Sequence, residues 1–331
     1  MKAIVCNRYG PPESLTLEDW PDPEPGAGEV MVAVHAAAAN YPDNLIIQGR
    51  YQFSRDLPFV PGGELAGTVH ALGPGVEGFT VGDRVIGIPG WGAFAELAPV
   101  PAAKLVRLPD SVPMDTGAGL VITYGTTHYA LRERAALQTG ETLLVLGAAG
   151  GAGLSAVELG RAMGARVIAA ASSDEKLALC REHGAQDTVN YSHEDLREAI
   201  RALTDGRGVD VVYDPVGGDY AEPALRSMAW RGRYLVIGFT AGEIPRLPVN
   251  LTLLKGCAIV GVFYAAFQDR EPERFVALMD ELMGWLVEGR VRPVITERYP
   301  LEQTARALRE IAERRARGKI VIQTERGRSG D

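Results

Sequence analysis

The chain has 331 residues, of which 46% are hydrophobic and 23% are charged, a length that fits about two domains of ~100–200 residues with a large core. The 42 acidic and 34 basic residues give a net charge of −8, which argues against nucleic acid or an anionic membrane surface as a partner. Cys6, Cys180 and Cys257 lie too far apart to suggest a disulfide framework or a zinc cluster, and this predicts a reducing cytoplasm. We also expect no signal peptide and no membrane span.

Short apolar runs separated by turn residues fill the first 122 residues. Examples are the runs 29–34, 66–71 and 84–88, with Pro- and Gly-rich turns at 21–26 and 73–75. Short strands joined by such turns are typical of a compact β-rich domain, which can take the form of a partly closed barrel.

A different pattern begins after residue 141, where continuous apolar runs alternate with helical segments. Buried parallel strands have this appearance, and the alternation requires right-handed crossovers between them. The fold class is therefore α/β, with a doubly wound parallel sheet of six strands. The predicted strands are 143–146, 167–171, 188–190, 209–213, 234–239 and 258–263.

The last part of the chain is too short for a further domain. It shows two amphipathic helical patterns, 272–286 and 301–315, and a strand pattern at 319–323. We expect these pieces to return to the first domain, and the tail 325–331 to lack regular structure. The predicted domains are 1–122, 123–264 and a return segment, 265–331.

A glycine-rich turn joins the first predicted strand of the sheet to the following helix. It has the spacing Gly147-x-x-Gly150-x-x-Gly153. A dinucleotide pyrophosphate needs a tight turn, a close backbone approach and free N–H groups at a helix N-terminus. The strand before it and the helix after it favour a dinucleotide site over a turn used only for packing.

The end of the second strand indicates which dinucleotide binds. NAD sites usually place an acid there for the ribose 2′-hydroxyl, whereas this chain has Ala171. Ser172, Ser173 and Lys176 follow and could contact a 2′-phosphate. The acids at 174–175 oppose this interpretation, although they also suit the first turn of a helix. The residues favour NADP(H) over NAD(H).

Several segments together resemble the medium-chain dehydrogenase/reductase superfamily, in particular its zinc-independent NADPH:quinone oxidoreductase (zeta-crystallin-like) branch. The resemblance covers nearly the whole chain and implies a GroES-like β domain interrupted by a Rossmann NADP-binding domain. It also implies a cytoplasmic homodimer. The segments that carry it are 28–32, 40–43, 61–67, 81–85, 148–153 and 318–321.

The same resemblance bears on metal binding. Zinc-dependent members have Cys and His where this chain has Asn40 and Gly63, and no cysteine cluster or histidine ligand spacing occurs in the sequence. Catalytic zinc needs three protein ligands and structural zinc needs four. We therefore predict no metal.

The resemblance also implies individual site residues. Tyr51 would be a proton donor, or alternatively a packing residue beside the cleft, and Asn40 would line the nicotinamide site and take part in catalysis. Leu45 departs from relatives that have a tyrosine there, and Phe239 and Phe263 are as compatible with core packing. The implied cofactor residues are Asn40, Thr123, Gly147, Gly150, Gly151, Ala152, Gly153, Ser172, Ser173, Lys176, Tyr191, Phe239, Phe263 and Lys319.

Without zinc, the suitable substrates are those that already delocalise charge. We expect NADPH-dependent hydride transfer to a quinone or another electron-poor conjugated C=C or C=O group, with positioning as the main task of the protein. One alternative is an enoyl-thioester or 2-enoate (acrylyl-type) reductase of the same superfamily. The alternative of another class is an NADPH-binding structural or redox-sensing protein with little turnover.

Overall fold

The computed structural model describes residues 1–329, which form two compact units. The first unit contains Met1–Ile122 and the chain from Pro293 onward, and the second contains Thr123–Arg292. The strands are β1 (Lys2–Val5), β2 (Thr16–Asp19), β3 (Glu29–Ala39), β4 (Leu65–Leu72), β5 (Arg84–Gly87), β6 (Leu97–Pro101), β7 (Leu105–Arg107), β8 (Thr142–Leu146), β9 (Arg166–Ala171), β10 (Asp187–Asn190), β11 (Val209–Asp214), β12 (Met228–Val236), β13 (Ala258–Gly261), β14 (Ile295–Pro300) and β15 (Lys319–Gln323). The helices are α1 (Tyr41–Ile47), α2 (Met114–Ala118), α3 (Thr123–His128), α4 (Gly151–Ala162), α5 (Asp174–Glu182), α6 (Leu196–Leu203), α7 (Ala221–Arg226), α8 (Asn250–Lys255), α9 (Tyr264–Arg270), α10 (Pro272–Val287), α11 (Thr304–Ala312) and α12 (Glu325–Ser329).

The second unit is built on a six-stranded parallel sheet. Its strand order is β10-β9-β8-β11-β12-β13, which is the 3-2-1-4-5-6 order of a dinucleotide-binding sheet. Every residue of β8 is buried, as expected for a strand covered by helices on both faces. The prediction of six parallel strands is confirmed, although β12 begins earlier than its apolar run indicated and ends at Val236.

The first unit contains a seven-stranded sheet and the separate hairpin β1-β2. The long strand β3 pairs with β4 along one edge. Its other edge pairs first with β6, over residues 29–33, and then with β15, over residues 36–39. The C-terminal strand therefore completes a sheet that begins near the N-terminus, as expected if the C-terminal segment returns to a β-rich first domain.

The predicted boundary at residue 265 is wrong, because residues 265–292 belong to the second unit. The physical reason is an aromatic contact surface on α9 and α10. The ring of Phe267 stacks on Tyr129 with centroids 4.2 Å apart, and Trp285 packs on His128 at 5.4 Å. The sequence predicts an amphipathic helix over 272–286 but does not show which partner it covers, and it does not predict α9.

The tail also differs from the expectation. Residues 325–329 form the short helix α12, and Gly327 packs so closely on β3 that an added Cβ would lie 2.0 Å from the carbonyl oxygen of His35. Residues 330–331 lie outside the described residues. Within the described part of the chain, the helices are all too short or too polar to cross a membrane.

Candidate functional site

The glycine loop, residues 147–153, connects β8 to α4 at the carboxyl end of the sheet. Gly147 has a φ of +58°, which favours glycine, and a Cβ on Gly153 would lie 2.2 Å from the carbonyl oxygen of Gly147. The packing of the chain itself therefore requires these two glycines. A Cβ on Gly150 would approach only that same oxygen, at 3.5 Å. No packing contact explains Gly150, whereas a bound group approaching the backbone does.

The start of α4 is suited to an anion. Gly150 is the N-cap residue and has no side chain to accept hydrogen bonds from the N–H groups of the first turn, where Gly151 and Ala152 lie. A twelve-residue helix carries a partial positive charge at that end. Thr123, one of the predicted cofactor residues, lies beside the same helix, since its carbonyl oxygen is 3.4 Å from the hydroxyl oxygen of Ser155. The loop and helix therefore fit a pyrophosphate.

The predicted 2′-phosphate residues come together after β9. The Nζ of Lys176 lies 3.2 Å from the Oγ of Ser172, and the Oγ of Ser173 caps α5 by accepting from the backbone N–H of Lys176 at 3.3 Å. The opposing carboxylate of Asp174 accepts a hydrogen bond of 2.8 Å from the side chain of Asn190. Two hydroxyls and an ammonium group are thus clustered beside the buried Ala171, where an NAD site would hold an acid.

The aromatic residues predicted to contact the cofactor follow other strands of the same sheet. Tyr191 comes directly after β10 and packs on Tyr220 with centroids 4.2 Å apart. Phe239 is partly buried beside Gly217, and Phe263 is 48% exposed. The alternative that these phenylalanines only pack in the core is therefore less suitable for Phe263 than for Phe239.

In the first unit, the structure brings two predicted residues, Asn40 and Lys319, into a buried polar cluster with Asp43 and Glu64. The Nζ of Lys319 lies 2.7 Å from Asn40 Oδ1 and 2.8 Å from Glu64 Oε1. Asn40 Nδ2 donates to Glu64 Oε1 at 2.9 Å, and the Asn40 backbone N–H donates to Asp43 Oδ2 at 2.8 Å. All four residues are at most 6% exposed.

The cluster leaves Asn40 with little free hydrogen-bonding capacity. Its Nδ2 donates to Ala38 O at 3.1 Å as well as to Glu64, and its Oδ1 accepts from Lys319. An amide has two N–H donors and two acceptor lone pairs. Asn40 therefore has no N–H left to donate, and its Oδ1 is already engaged by Lys319.

Asp43 is the titratable centre of the cluster. Burial raises the pKa of its carboxyl group to about 7, and the charge of Glu64 adds to the rise. Hydrogen bonds from the backbone N–H groups of Asn40 and Gly63, together with the charge of Lys319, lower the pKa in part. A carboxyl group with this pKa changes its charge near neutral pH.

Tyr51 follows α1 and is partly exposed. Burial raises the pKa of its phenol, and the charge of Asp43 raises it further. Its ring meets Phe53 edge-on with centroids 6.0 Å apart. The phenol therefore stays protonated at neutral pH, as a proton donor must.

The residues at the positions of the zinc ligands do not form a metal-binding set. A Cβ at Gly63 would lie 3.8 Å from Asp43 Oδ1, so this position adjoins the cluster without supplying a ligand. The ammonium group of Lys319 supplies the positive charge beside Glu64. Within the part of the chain that the structure describes, no group of three His, Cys, Asp or Glu side chains could hold a metal ion.

Asp43 and Glu64 were not predicted as site residues, although both lie in the segments that carry the family resemblance. A signal was present for Glu64, because it is a charged residue at the start of the apolar run of β4. Charged residues are almost never fully buried unless they are paired. What the sequence does not show is the partner, Lys319, which lies 255 residues away.

Comparisons with known proteins agree with this architecture. The sequence model described as "Alcohol dehydrogenase GroES-like domain" matches residues 26–110, and the one described as "Zinc-binding dehydrogenase" matches residues 151–282. The chain is 40% identical to quinone oxidoreductase-like protein 2 of Bos taurus, over 97% of this chain and 92% of that protein.

Solved structures give the same result. A quinone oxidoreductase of Pseudomonas syringae superposes with a TM-score of 0.92 at 33% identity, covering 97% of this chain and 99% of the other. The quinone oxidoreductase of Escherichia coli in complex with NADPH has a TM-score of 0.91 at 27% identity, covering 98% and 100%. The chain belongs to the medium-chain dehydrogenase/reductase superfamily, in its quinone oxidoreductase branch.

Proposed function

We propose that this protein is an NADPH-dependent oxidoreductase that reduces a quinone or another electron-poor conjugated C=C or C=O substrate without zinc. The observation that carries the proposal is the arrangement within the second unit, where the glycine loop and the Ser172–Lys176 group fit the two phosphate-bearing parts of NADPH. The relative from Escherichia coli, solved with NADPH, supports the same cofactor.

When bound, NADPH supplies a hydride for the electron-poor carbon of the substrate. The protein must then provide a proton for the enolate or quinol oxygen, or for the α-carbon of an alkene. Tyr51 is the proposed donor, because its phenol stays protonated and partly exposed. Asn40 acts as a positioning residue, because Glu64 and Lys319 fix the orientation of its amide.

The experiment is a substrate panel followed by loss of NADPH absorbance. It compares 1,2- and 1,4-quinones with crotonyl and acryloyl thioesters and with 2-enoic acids. Faster turnover of quinones supports the proposal. Tight NADPH binding without turnover of any acceptor would instead support a structural or redox-sensing role.

A 2-enoate or enoyl-thioester reductase is the second candidate, and one comparison favours it. A 2-haloacrylate reductase superposes with a TM-score of 0.86 at 29% identity, covering 98% of this chain and all of the other. Faster turnover of the thioesters or the 2-enoic acids in the panel would select this function.

We also propose a homodimer formed through the second unit. Strand β13 is the outer strand of the six-stranded sheet, and an unpaired edge is a template for another strand. Large apolar side chains are exposed near it: Leu253 at 81% and Leu254 at 68% precede β13 in sequence, and Trp230, 70% exposed on β12, has its ring beside Gly256. An apolar surface of this kind is typical of an interface between subunits. Light scattering should give the mass of a dimer, and Leu253→Glu with Leu254→Glu should give a monomer.

We also propose that the protein is located in the cytoplasm. The free cysteines among the described residues, Cys6, Cys180 and Cys257, are all buried, which suits a reducing compartment. Cell fractionation tests it, and recovery of the protein from an oxidising compartment would contradict it.

A further inference from the structure

The amino ends of two strands in the second unit border a pocket with basic walls. It has a volume of about 180 Å³ and lies between α6, the loop before β11 and the start of β12. Its basic residues are Arg197, Arg201, Arg207, Arg226 and Lys255, and none of the residues that line it is acidic. We name it the cation pocket. Such a concentration of positive charge is unexpected in a chain with a net charge of −8.

This pocket is separate from the glycine loop. The loop follows the carboxyl end of β8, whereas the cation pocket lies where β11 and β12 begin. Because the strands are parallel, the loop and the pocket lie at opposite ends of the strands of the sheet. The proposed cofactor site therefore does not account for the basic residues.

Three of the arginines have acidic partners, and two of these pairs are hydrogen-bonded. Arg207 binds Asp210 through Nη1 and Nη2 at 2.8 and 3.0 Å, and Arg226 binds Glu222 through Nε at 2.8 Å. The third, Arg201, lies 3.6 Å from its acidic partner on the same helix. A guanidinium group has five N–H donors, so the hydrogen-bonded pairs orient Arg207 and Arg226 without using all their donors.

Two further cations have no carboxylate partner among the described residues. Arg197 is exposed on α6, and the Nζ of Lys255 donates to the carbonyl oxygen of Met228 at 3.0 Å. Each of the three paired arginines is neutralised by one acidic side chain, so the five cations of the pocket leave an excess of two positive charges. Ile200 and Met228, both buried, add an apolar part to the lining.

We propose that the cation pocket is a second anion site, which binds a compact molecule with a phosphate or diphosphate group of at least two negative charges. Arginine suits this chemistry because its planar guanidinium donates paired hydrogen bonds to phosphate oxygens. A concave site lined by one sign of charge also concentrates the electrostatic field on a small anion. The proposal is independent of the proposed function.

The test is a calorimetric titration of the full-length protein saturated with NADPH, so that the glycine loop cannot bind the probe. Pyrophosphate and AMP are the two probes, and they distinguish a free diphosphate from a phosphate ester. We expect binding of at least one probe, weakening as salt is added.

Arg197→Glu should weaken that binding by about tenfold or more, the effect expected when a charge-assisted hydrogen bond to the anion is lost. Arg197 is exposed and has no carboxylate partner among the described residues, so the variant should fold and bind NADPH normally. The matched control is Arg326→Glu, which makes the same charge change on the exposed surface of α12 and should leave binding unchanged. The proposal is overturned if neither probe binds at millimolar concentration, or if Arg197→Glu and Arg326→Glu have equal effects.

Discussion

The ammonium group of Lys319 lies 2.8 Å from the carboxylate of Glu64, and the two side chains are 4% and 0% exposed. The pair joins β15, near the end of the chain, to the start of β4. Removing one partner of a buried pair leaves an uncompensated charge, whereas replacing both can be nearly neutral.

Lys319→Met should therefore lower the free energy of unfolding by about 3–5 kcal/mol. Glu64→Gln combined with Lys319→Met should recover most of the loss, because both charges of the pair are then removed together. Urea unfolding midpoints at constant m-value measure both effects. Equal losses in the single and the double variant would show that the pair does not act as a charge-compensating unit.

The two glycines at the start of α4 should respond differently to alanine. Gly153→Ala places a Cβ 2.2 Å from a backbone oxygen and should destabilise the protein, whereas Gly150→Ala has room for its Cβ. We expect Gly150→Ala to keep the wild-type melting temperature and to weaken NADPH binding, since the added methyl group occupies the space of the pyrophosphate. Fluorescence titration measures the affinity. Unchanged NADPH affinity in Gly150→Ala would remove the explanation given for that glycine.

Lys176 should discriminate between the two nicotinamide cofactors. Lys176→Gln removes the positive charge beside Ser172, and we expect the Kd for NADPH to rise about tenfold, the effect of one charge-assisted hydrogen bond. The Kd for NADH should stay the same, and it serves as the internal control. A parallel rise in both values would place Lys176 away from the 2′-phosphate.

Tyr51→Phe tests the proposed proton donor. A positioned general acid contributes about 10²–10⁴-fold to the rate, so kcat should fall by a factor in that range while the Kd for NADPH does not change. The matched control is Tyr9→Phe, which removes a tyrosine hydroxyl of the same unit that hydrogen-bonds the backbone of Arg55. If Tyr51→Phe turns over every substrate at the wild-type rate, Tyr51 is a packing residue.

Asp43 makes stability depend on pH. Its pKa is about 7 in the folded protein, against an ordinary value of 3.8, so between these values the folded state binds more protons than the unfolded state. The free energy of unfolding should therefore fall as the pH rises from about 4 to 7 and then level off, with a total contribution of at most about 4 kcal/mol. Asp43→Asn should lack this decline. Urea unfolding of both proteins across the range measures it, and parallel curves would contradict the assignment to Asp43.

The sequence predicts the six-stranded sheet well because buried parallel strands are uninterrupted apolar runs. The glycine loop could also be predicted from the sequence, because the tight turn and the close packing require glycine at positions only a few residues apart. By contrast, the packing of α10 against α3 could not be predicted, because amphipathicity identifies an apolar face but not its partner. The ion pair of Glu64 and Lys319 was missed for a similar reason: it depends on the pairing of β3 with β15, which no local pattern encodes.

The pairing of β3 with β15 also constrains how the protein can be made. Residues 36–39 obtain their strand partner only when residues 320–323 have been synthesised. The second unit is continuous in sequence, so it can fold on the ribosome while that edge of β3 is still open. An open strand edge is where chains associate wrongly. Residues 320–323 therefore close a strand edge that is exposed to aggregation during synthesis, and a chain that stops before β15 keeps it open.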